Sequence, residues 1–162
     1  MKISLRTYRP EDFDTLCEID RLCYSRETAY SAYEMQAYLA MPGAECVVAE
    51  VCESRKLALA GFCISARHES LGYVITMDVL ERFRRHGIGT ALLREAEKRL
   101  AKNGVAMVGL ETAVDNAAGV AFWERHGYRT QRLRKGYYPG GVDAYSMTKE
   151  IAPSKPSKAS KK

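Results

Sequence analysis

A basic segment that contains two glycines, residues 84–90, has the composition of an anion-binding loop. It lies between an apolar run and a segment of helical periodicity, so it should contain the start of a helix. The first N–H groups of a helix are unpaired, and the positive end of the helix dipole attracts an anion. Its glycines lack Cβ atoms and let a ligand approach the backbone closely. The segment predicts a pyrophosphate cradle, with an exposed basic helix start as the alternative. Its residues are Arg84, Arg85, His86, Gly87, Ile88, Gly89 and Thr90.

The spacing within this segment excludes two common phosphate-binding motifs. A P-loop requires G-x-x-x-x-G-K-[ST], and neither Lys-Ser nor Lys-Thr follows Gly87 at that spacing. A dinucleotide-binding fingerprint requires a third glycine where Leu92 stands, and it belongs to the first strand of its fold. Neither motif fits this sequence.

Hydrophobic patterning predicts an α+β fold with a mixed sheet, and the basic segment lies between one of its strands and one of its helices. Alternating or continuous apolar runs predict seven strands, and apolar residues at helical spacing predict four helices. The apolar run from Tyr73 to Val79 is typical of a central strand that is buried on both faces. The predicted strands cover residues 2–8, 46–52, 57–66, 73–79, 106–114, 128–134 and 143–151. The predicted helices begin at Pro10, Ser31, Ile88 and Asn116.

Length and composition indicate one globular domain. The 162 residues are 46% hydrophobic and 28% charged, which allows a sizeable core. We assign residues 1–151 to this domain and residues 152–162, which are rich in Lys, Ser and Pro, to a disordered tail. No apolar run approaches the roughly 20 residues that span a bilayer. Residues 1–10 lack the features of a secretory signal, so we expect a cytoplasmic protein without a membrane partner.

Charge and cysteine content narrow the partners and ligands. The net charge is +5, and four of the positive charges are lysines of the tail, so the domain carries +1. Nucleic-acid binding would therefore depend on the tail alone, and we do not expect it. The five cysteines are odd in number and none forms a C-x-x-C pair, so we expect reduced, mostly buried thiols. The three histidines show no metal-binding spacing.

Three ordered segments resemble the GNAT superfamily of acetyl-CoA-dependent N-acetyltransferases, and in particular its RimI-like and archaeal N-terminal acetyltransferases. The first, Arg84–Gly89, matches the pattern [RQ]-x-x-G-x-[GA]. The second, Asn116–Tyr128, is similar to N-x-x-A-x-x-[FL]-Y-x-x-x-G-[FY]. The third, Lys135–Pro139 with Asp143–Met147, is similar to a G-Y-Y…D-A-[YI]-x-M end. The resemblance implies a GNAT-type, largely antiparallel sheet of about seven strands flanked by about four helices.

The resemblance also implies acetyl-CoA as the cosubstrate and no metal. The strand before the basic segment would pair with the pantetheine arm through Met77, Asp78 and Val79. The backbone of residues 84–90 would hold the pyrophosphate, and a backbone N–H near Val79 would stabilise the thioester oxyanion. Asn116 would contact the pantetheine arm from the start of its helix. A plain N-cap is the alternative role for Asn116, and the two roles are compatible.

Acetyl transfer to an amine requires a base, and Glu111 is the candidate. It stands in an L-E-T sequence similar to that of RimI-like proteins, as a lone carboxylate next to an apolar strand segment. An outward-facing strand glutamate is the alternative. Many relatives carry a tyrosine acid where this chain has Trp123, whose indole is no useful acid near neutral pH. Either the thiolate leaves without a proton from this position, or Tyr138 or Tyr137 serves as the acid, and we assign Trp123 to packing against the cofactor or within the core.

The residues that would bind the acceptor are less defined. The pair Tyr137-Tyr138 is similar to tyrosines that bind the backbone of a peptide's first residues in N-terminal acetyltransferases. The acceptor-binding candidates are Tyr24, Tyr30, Tyr137 and Tyr138. We expect direct transfer to the N-terminal α-amine of a protein or peptide, by a monomer or a homodimer. A small amine or a lysine side chain is the alternative acceptor, and a non-catalytic acyl-CoA-binding regulatory module is the alternative of another class.

Overall fold

Seven strands form one mixed sheet in the order β1-β2-β3-β4-β5-β7-β6. The computed structural model describes residues 1–153, so the tail expected at 152–162 lies almost entirely outside the described residues. Neighbouring strands are antiparallel except β4 and β5, which are parallel. The strands are β1 (Ile3–Thr7), β2 (Ala44–Glu53), β3 (Lys56–His68), β4 (Leu71–Val79), β5 (Met107–Ala113), β6 (Arg129–Arg134) and β7 (Ala144–Glu150).

Four helices pack on this sheet, and their ends follow from local sequence. They are α1 (Phe13–Cys23), α2 (Ala32–Leu39), α3 (Ile88–Lys102) and α4 (Ala117–Arg125). A capping box begins α2: the Ser31 hydroxyl accepts a hydrogen bond from the Glu34 N–H, and the Glu34 carboxylate accepts one from the Ser31 N–H. The predicted α+β class, with seven strands and four helices, is confirmed.

Strand alternation divides the core into two layers, one on each face of the sheet. In β2, Cys46 and Val48 pack with α1 and α2, whereas Val47 and Ala49 pack with α3. Because successive side chains of a strand point to opposite faces, one strand contributes to both layers. The sheet is therefore held between α1 and α2 on one side and α3 and α4 on the other.

Two irregularities in β4 create an opening in the sheet. The register with β3 shifts so that Ile75 has no direct partner, and this bulge turns the following side chains to the other face. β4 pairs with β5 only from Leu71 to Tyr73. Beyond Tyr73 the two parallel strands separate, which leaves the segment Ile75–Val79 with an open edge. The expectation that Tyr73 is buried was wrong: it is 45% exposed, because no helix covers this part of the sheet face within the described residues.

The close packing of β3 against the end of β4, at Asp78 and Val79, depends on Gly61. A Cβ atom at this position would collide with the backbone oxygen of Asp78 and lie 3.1 Å from Val79 Cα. We therefore expect Gly61→Ala to lower the free energy of unfolding by about 1–3 kcal/mol, as overpacked substitutions do.

The matched control is Gly109→Ala in β5, where a Cβ would make only ordinary contacts at 3.7 Å. Its free energy of unfolding should stay equal to the wild-type value or rise slightly, because alanine loses less backbone entropy than glycine. Urea denaturation measures both variants. A Gly61→Ala protein as stable as the wild type would show that β3 and β4 are not in close contact at this point.

Candidate active site

The open edge of β4 is one side of a cleft between β4 and β5. The Leu80 N–H donates to Ala60 O of β3. Because the backbone groups of a strand face its two neighbours in alternation, those of Asp78 also face β3. The backbone groups of Met77 and Val79 face the cleft. Met77 and Val79 thus present N–H groups that have no strand partner on that side. The prediction that Asp78 offers its backbone to a ligand was wrong for this geometric reason.

Two tyrosines of the α1–α2 region cover carbonyl groups of the open edge. The Tyr30 hydroxyl donates to Ile75 O and the Tyr24 hydroxyl donates to Met77 O, each at 3.3 Å. Burial raises the pKa of both phenols, so both stay protonated and able to donate. Tyr24 and Tyr30 were predicted to bind the acceptor, and the structure engages their hydroxyls with β4 instead. Each hydroxyl oxygen can still accept a hydrogen bond, so a contact of Tyr24 or Tyr30 with the acceptor stays a prediction.

The third cleft-facing carbonyl of β4 is held by the basic segment. Arg84 Nε donates to Val79 O at 2.8 Å, and the Cys23 thiol lies 3.5 Å from the same oxygen. The carbonyls of the open edge are therefore satisfied by the protein itself. The open edge of β4 therefore offers hydrogen-bond donors to a ligand.

The start of α3 supplies further donors. Gly87 precedes the helix with a left-handed φ of +80°, and no side chain of the described residues caps the helix. The N–H groups of Ile88, Gly89 and Thr90 belong to the first turn, which has no intrahelical acceptor. The Ile88 side chain is buried, so its backbone is fixed in place. A Cβ on Gly87 would meet no atom within 4 Å, which leaves room for an anion.

The two residues before Gly87 shape the approach to this helix. Arg85 has a φ of +63°, a left-handed conformation that is uncommon for a residue with a side chain. His86 Nδ1 lies 2.8 Å from Arg84 O and donates to it. Arg84, Arg85 and His86 are all exposed, and the two arginines bring positive charge to the segment that precedes the helix. The geometry fits the predicted pyrophosphate cradle.

Helix α4 packs against this cradle and fixes its position. Thr90 Oγ1 and His126 Nε2 are hydrogen-bonded at 2.9 Å, and the Phe122 ring lies 3.2 Å from the position of a Cβ on Gly89. Asn116 Oδ1 accepts from the Gly119 N–H at 3.0 Å, so Asn116 is the N-cap of α4. A contact of Asn116 with a pantetheine arm stays a prediction.

Trp123 lies in the core layer that α3 and α4 share. Its side chain is 8% exposed, and its ring meets those of Phe122 and Tyr128 edge-on, with centroids 5.0 and 5.5 Å apart. This placement agrees with the core role that the sequence left open. A contact of Trp123 with the cofactor stays a prediction.

Glu111 stands on the β5 side of the cleft, and two residues hold its carboxylate. Arg134 Nη1 and Ser146 Oγ both donate to Oε1 at 3.1 Å. In the part of the chain that the structure describes, no hydrogen bond reaches Oε2, and the side chain is 25% exposed. Glu111 can therefore accept a proton through Oε2 while Oε1 keeps it in position. Sequence analysis missed both partners, which only the strand register brings beside it.

The loop between β6 and β7 places two tyrosines near this carboxylate. The rings of Tyr137 and Tyr138 meet edge-on at 4.9 Å, and the Tyr138 N–H donates to Val142 O. Burial, and then the negative charge of Glu111 among other groups, raises the pKa of both phenols. Arg134 lies over the Tyr137 ring at 5.3 Å. Glu111 thus lies near enough for its charge to act on both phenols, whereas the catalytic role of Tyr138 and the acceptor contacts of Tyr137 and Tyr138 stay predictions.

Two buried carboxylates lie behind the open edge, on the α1 side of β4. Asp20 Oδ2 accepts from the Tyr30 N–H at 2.7 Å, and Thr76 Oγ1 donates to Asp78 Oδ1 at 2.9 Å. Their remaining oxygens have no donor among the described residues. Burial raises the pKa of both groups, and one proton shared between them would satisfy both oxygens. Sequence analysis missed this pair, because Asp78 looked like a backbone contact.

Across residues 1–153, no helix is long and apolar enough to cross a membrane. No three His, Cys, Asp or Glu side chains of that range lie close enough together to hold a metal ion. All five cysteines are free: Cys17, Cys46 and Cys63 are buried, Cys23 is half-buried and Cys52 is exposed. The expectation of mostly buried thiols is confirmed, and their reduced state stays a prediction.

Comparison with known proteins gives one consistent result. The model of the acetyltransferase (GNAT) family matches residues 13–128. An N-alpha-acetyltransferase of Saccharolobus solfataricus is 32% identical over 158 residues, which cover 91% of this chain and 93% of that protein. The crystal structure of the ribosomal-protein-S18-alanine N-acetyltransferase from Escherichia coli superposes with a TM-score of 0.81 at 22% identity, covering 96% of this chain and 98% of that one.

A second solved structure extends the comparison to a ligand-bound protein. Arabidopsis thaliana NAA60 in complex with acetyl-CoA has a TM-score of 0.77 at 22% identity, and the match covers 93% of this chain and 99% of that chain. At these identities the two solved structures establish the shared fold. The predicted fold and family resemblance are both confirmed.

A proton shared by Asp20 and Asp78 would make the stability of the fold depend on pH. Burial raises the pKa of the pair in the folded protein. The full stabilising contribution of the pair is therefore present at pH values below the pKa of an aspartate in the unfolded chain, about 3.9. That contribution is lost as the pH rises through the raised pKa. In Asp78→Asn, the amide donates to Asp20 at every pH, so the free energy of unfolding should fall less between pH 4 and pH 8 than in the wild type.

Denaturant unfolding at a series of pH values measures this difference. The control is Asp14→Asn on the exposed side of α1, which should keep the wild-type pH dependence. A constant difference in free energy between the wild type and Asp78→Asn across this pH range would show that the pair does not share a proton.

Proposed function

Because the chain belongs to the acetyltransferase (GNAT) family, we propose that this N-acetyltransferase moves the acetyl group of acetyl-CoA to the N-terminal α-amine of a protein or peptide. The observation that carries the proposal is the cleft between β4 and β5, where free N–H groups of β4 and of the α3 start lie along one side and Glu111 lies on the other. Family membership favours an enzyme over the non-catalytic binding module considered from the sequence.

Acetyl-CoA fits the donors that the protein leaves free. Of the two free N–H groups of β4, that of Met77 would pair with a carbonyl of the pantetheine arm as an added strand does, and that of Val79 would face the thioester oxygen. The first turn of α3 and the exposed charges of Arg84 and Arg85 would hold the pyrophosphate. The relative of the same fold that is solved with acetyl-CoA supports this cosubstrate.

The acceptor is assigned from the other side of the cleft. Tyr137 and Tyr138 present two large side chains with polar ends beside Glu111, which suits a peptide backbone better than a small amine. The names of the relatives, an N-alpha-acetyltransferase and a ribosomal-protein-S18-alanine N-acetyltransferase, support an α-amine acceptor. A lysine side chain or a small amine has no such support.

The chemistry needs one proton acceptor, one oxyanion donor and one proton donor. The neutral amine attacks the thioester carbon, and Glu111 takes the proton that the nitrogen loses, directly or through water. The Val79 N–H stabilises the oxyanion, and the C–S bond then breaks. Burial raises the pKa of Tyr138, so this phenol is protonated but a weak acid, and we assign it to donate a hydrogen bond or a proton to the departing thiolate. Trp123 is buried in the core and is no useful acid, so the thiolate takes a proton from such a group or leaves without one.

Location and assembly are part of the same proposal. Five free thiols fit a reducing compartment, and we place the protein in the cytoplasm. All residues assigned above belong to one chain, which supports activity as a monomer. A homodimer would need no change in the site.

Glu111→Gln tests the role of the base. The amide keeps the size of the side chain but cannot take a proton, so we expect kcat to fall by roughly 100-fold, the scale of general base catalysis. The affinity for acetyl-CoA should stay near the wild-type value, because Glu111 lies on β5 and not on the donor side of the cleft. The release of free thiol with a peptide acceptor measures kcat, and calorimetry measures the affinity.

The control is Glu97→Gln, which removes a carboxylate that pairs with Lys149 on the α3 side of the sheet. It should leave kcat within about twofold of the wild-type value, a small fraction of a general-base effect. Wild-type turnover by Glu111→Gln would remove Glu111 from the mechanism.

A further inference from the structure

A histidine at the end of α4 lies against the first turn of α3. His126 is the residue that follows the last turn of α4, and it is half-buried. Its ring packs on the Phe122 ring with centroids 4.2 Å apart, and Phe122 in turn lies 3.2 Å from the position of a Cβ on Gly89. The His126 ring is therefore held beside the helix start where the pyrophosphate of acetyl-CoA would bind.

Hydrogen bonding decides which ring nitrogen of His126 carries a proton. Nδ1 lies 2.7 Å from the Phe122 carbonyl oxygen. A carbonyl oxygen can only accept, so Nδ1 must be the donor and must hold a hydrogen. Nε2 of the neutral ring then has no hydrogen and can only accept. Phe122 thus confines the neutral ring to one tautomer.

The nitrogen that is left as an acceptor faces the Thr90 hydroxyl. His126 Nε2 and Thr90 Oγ1 are 2.9 Å apart. A hydroxyl has one hydrogen, so with a neutral ring Thr90 donates it to Nε2 and offers only lone pairs to other groups. When Nε2 gains a proton, the bond reverses its direction: Nε2–H donates to Oγ1. The hydroxyl hydrogen of Thr90 is then free for another acceptor.

The position of Thr90 puts this hydrogen beside the cradle. Thr90 belongs to the first turn of α3, three residues after Gly87. Residues three apart lie on the same face of a helix, and helical side chains tilt toward the N-terminus. The space at Gly87 is open, since a Cβ there would meet no atom within 4 Å. A freed Thr90 hydroxyl can therefore donate to an anion at the helix start.

The charges around His126 leave its protonated form without a carboxylate partner. Among residues 1–153, no acidic side chain forms an ion pair with it. Glu97, further along α3, is neutralised by Lys149 of β7. Glu124 is two residues before His126, a spacing at which side chains on a helix do not face each other. The other charged or titratable residues of the flanking segments are Arg84, Arg85, His86, Arg94, Lys98, Arg125 and Arg129.

All of these remaining groups are basic, so the surroundings favour a neutral ring until an anion arrives. A bound pyrophosphate reverses this balance, because its negative charge favours a positively charged imidazole nearby. The same anion needs hydrogen-bond donors, and Thr90 can become one only through protonation of His126. Charge and hydrogen bonding therefore couple the proton to the ligand in the same direction.

We propose that His126 is a positioning residue of the cofactor site, which takes up a proton from solvent when acetyl-CoA binds and so turns the Thr90 hydroxyl toward the pyrophosphate. This inference rests on the proposed function, because it requires the pyrophosphate of acetyl-CoA at the start of α3. Histidine suits the role, since its charge changes near neutral pH. Because the bound state holds the extra proton, the affinity for acetyl-CoA falls as the pH rises.

Proton uptake on binding measures this coupling. Acetyl-CoA is titrated into the protein by calorimetry, without an acceptor, in two buffers of different ionisation enthalpy, because uptake makes the observed enthalpy depend on the buffer. We expect the wild type to take up more of a proton near pH 7 than His126→Gln. Its Kd should rise about tenfold more between pH 6 and pH 8, the scale of a hydrogen bond to a charged group. The ligand's own phosphate titrates equally in both proteins.

Thr90 variants separate the hydroxyl from the charge and from packing. Thr90→Val keeps the shape of the side chain and has no hydroxyl, so we expect it to weaken binding about tenfold at pH 6 and much less at pH 8. Thr90→Ser keeps the hydroxyl and should keep the wild-type pH profile. A residue that only packs would weaken binding equally at both pH values, and this result for Thr90→Val would overturn the inference.

The other two histidines of the chain identify the source of the proton. His68→Gln is the matched control, because His68 is exposed at the end of β3, and this variant should take up as much of a proton as the wild type. His86 belongs to the basic segment, and its Nδ1 donates to Arg84 O. Uptake that is lost in His86→Gln and retained in His126→Gln would assign the proton to the basic segment and overturn the inference.

The outcomes separate this inference from the proposed function. If the wild type does not bind acetyl-CoA, the proposed function fails and the inference fails with it. If acetyl-CoA binds and peptides are acetylated, but His126→Gln keeps the wild-type proton uptake and pH profile, the inference is overturned and the proposed function stands.

Discussion

The separation of β4 from β5 after Tyr73 is the constraint on which the site depends. A parallel pair that parts after three residues leaves backbone groups without partners, and buried or half-buried groups of this kind must be satisfied. The protein satisfies the carbonyls with side chains from α1, its following loop and the basic segment. The N–H groups are left for a ligand. An open strand edge is an aggregation hazard when exposed, and here it lies inside a cleft.

Strand β4 connects the residues proposed to bind acetyl-CoA with the residues proposed to bind the acceptor. Tyr24 and Tyr30 link the α1–α2 region to β4, and the buried Asp20–Asp78 pair lies directly beneath them. A change in the position of β4 would therefore move the segment that faces the acceptor. Across the cleft, the register of β5 with β7 fixes Glu111 against Ser146, and β6 brings Arg134 to it. The candidate base and the free N–H groups of β4 thus lie on strands, whereas the tyrosines and the basic segment belong to loops.

Periodicity and motif spacing predicted the elements well, and the observed ends lie close to the expected ones. The helix start at Ile88 was predictable because glycine, charge and an amphipathic pattern coincide there. The exposure of Tyr73 was not, because it depends on how far α1 and α2 extend over the sheet. The inward turn of Asp78 was missed because the bulge at Ile75 changes the alternation of β4. The partners of Glu111 follow from strand register, which one sequence does not reveal.

The direct test of the account is to follow backbone amide signals of the ¹⁵N-labelled protein by NMR while acetyl-CoA is added. The account predicts saturable shifts of the Met77 and Val79 amides and of the amides of residues 87–90, with the Asp78 amide less affected because it faces β3. Binding that perturbs other parts of the sheet and leaves these amides unchanged, or no binding at all, would contradict it.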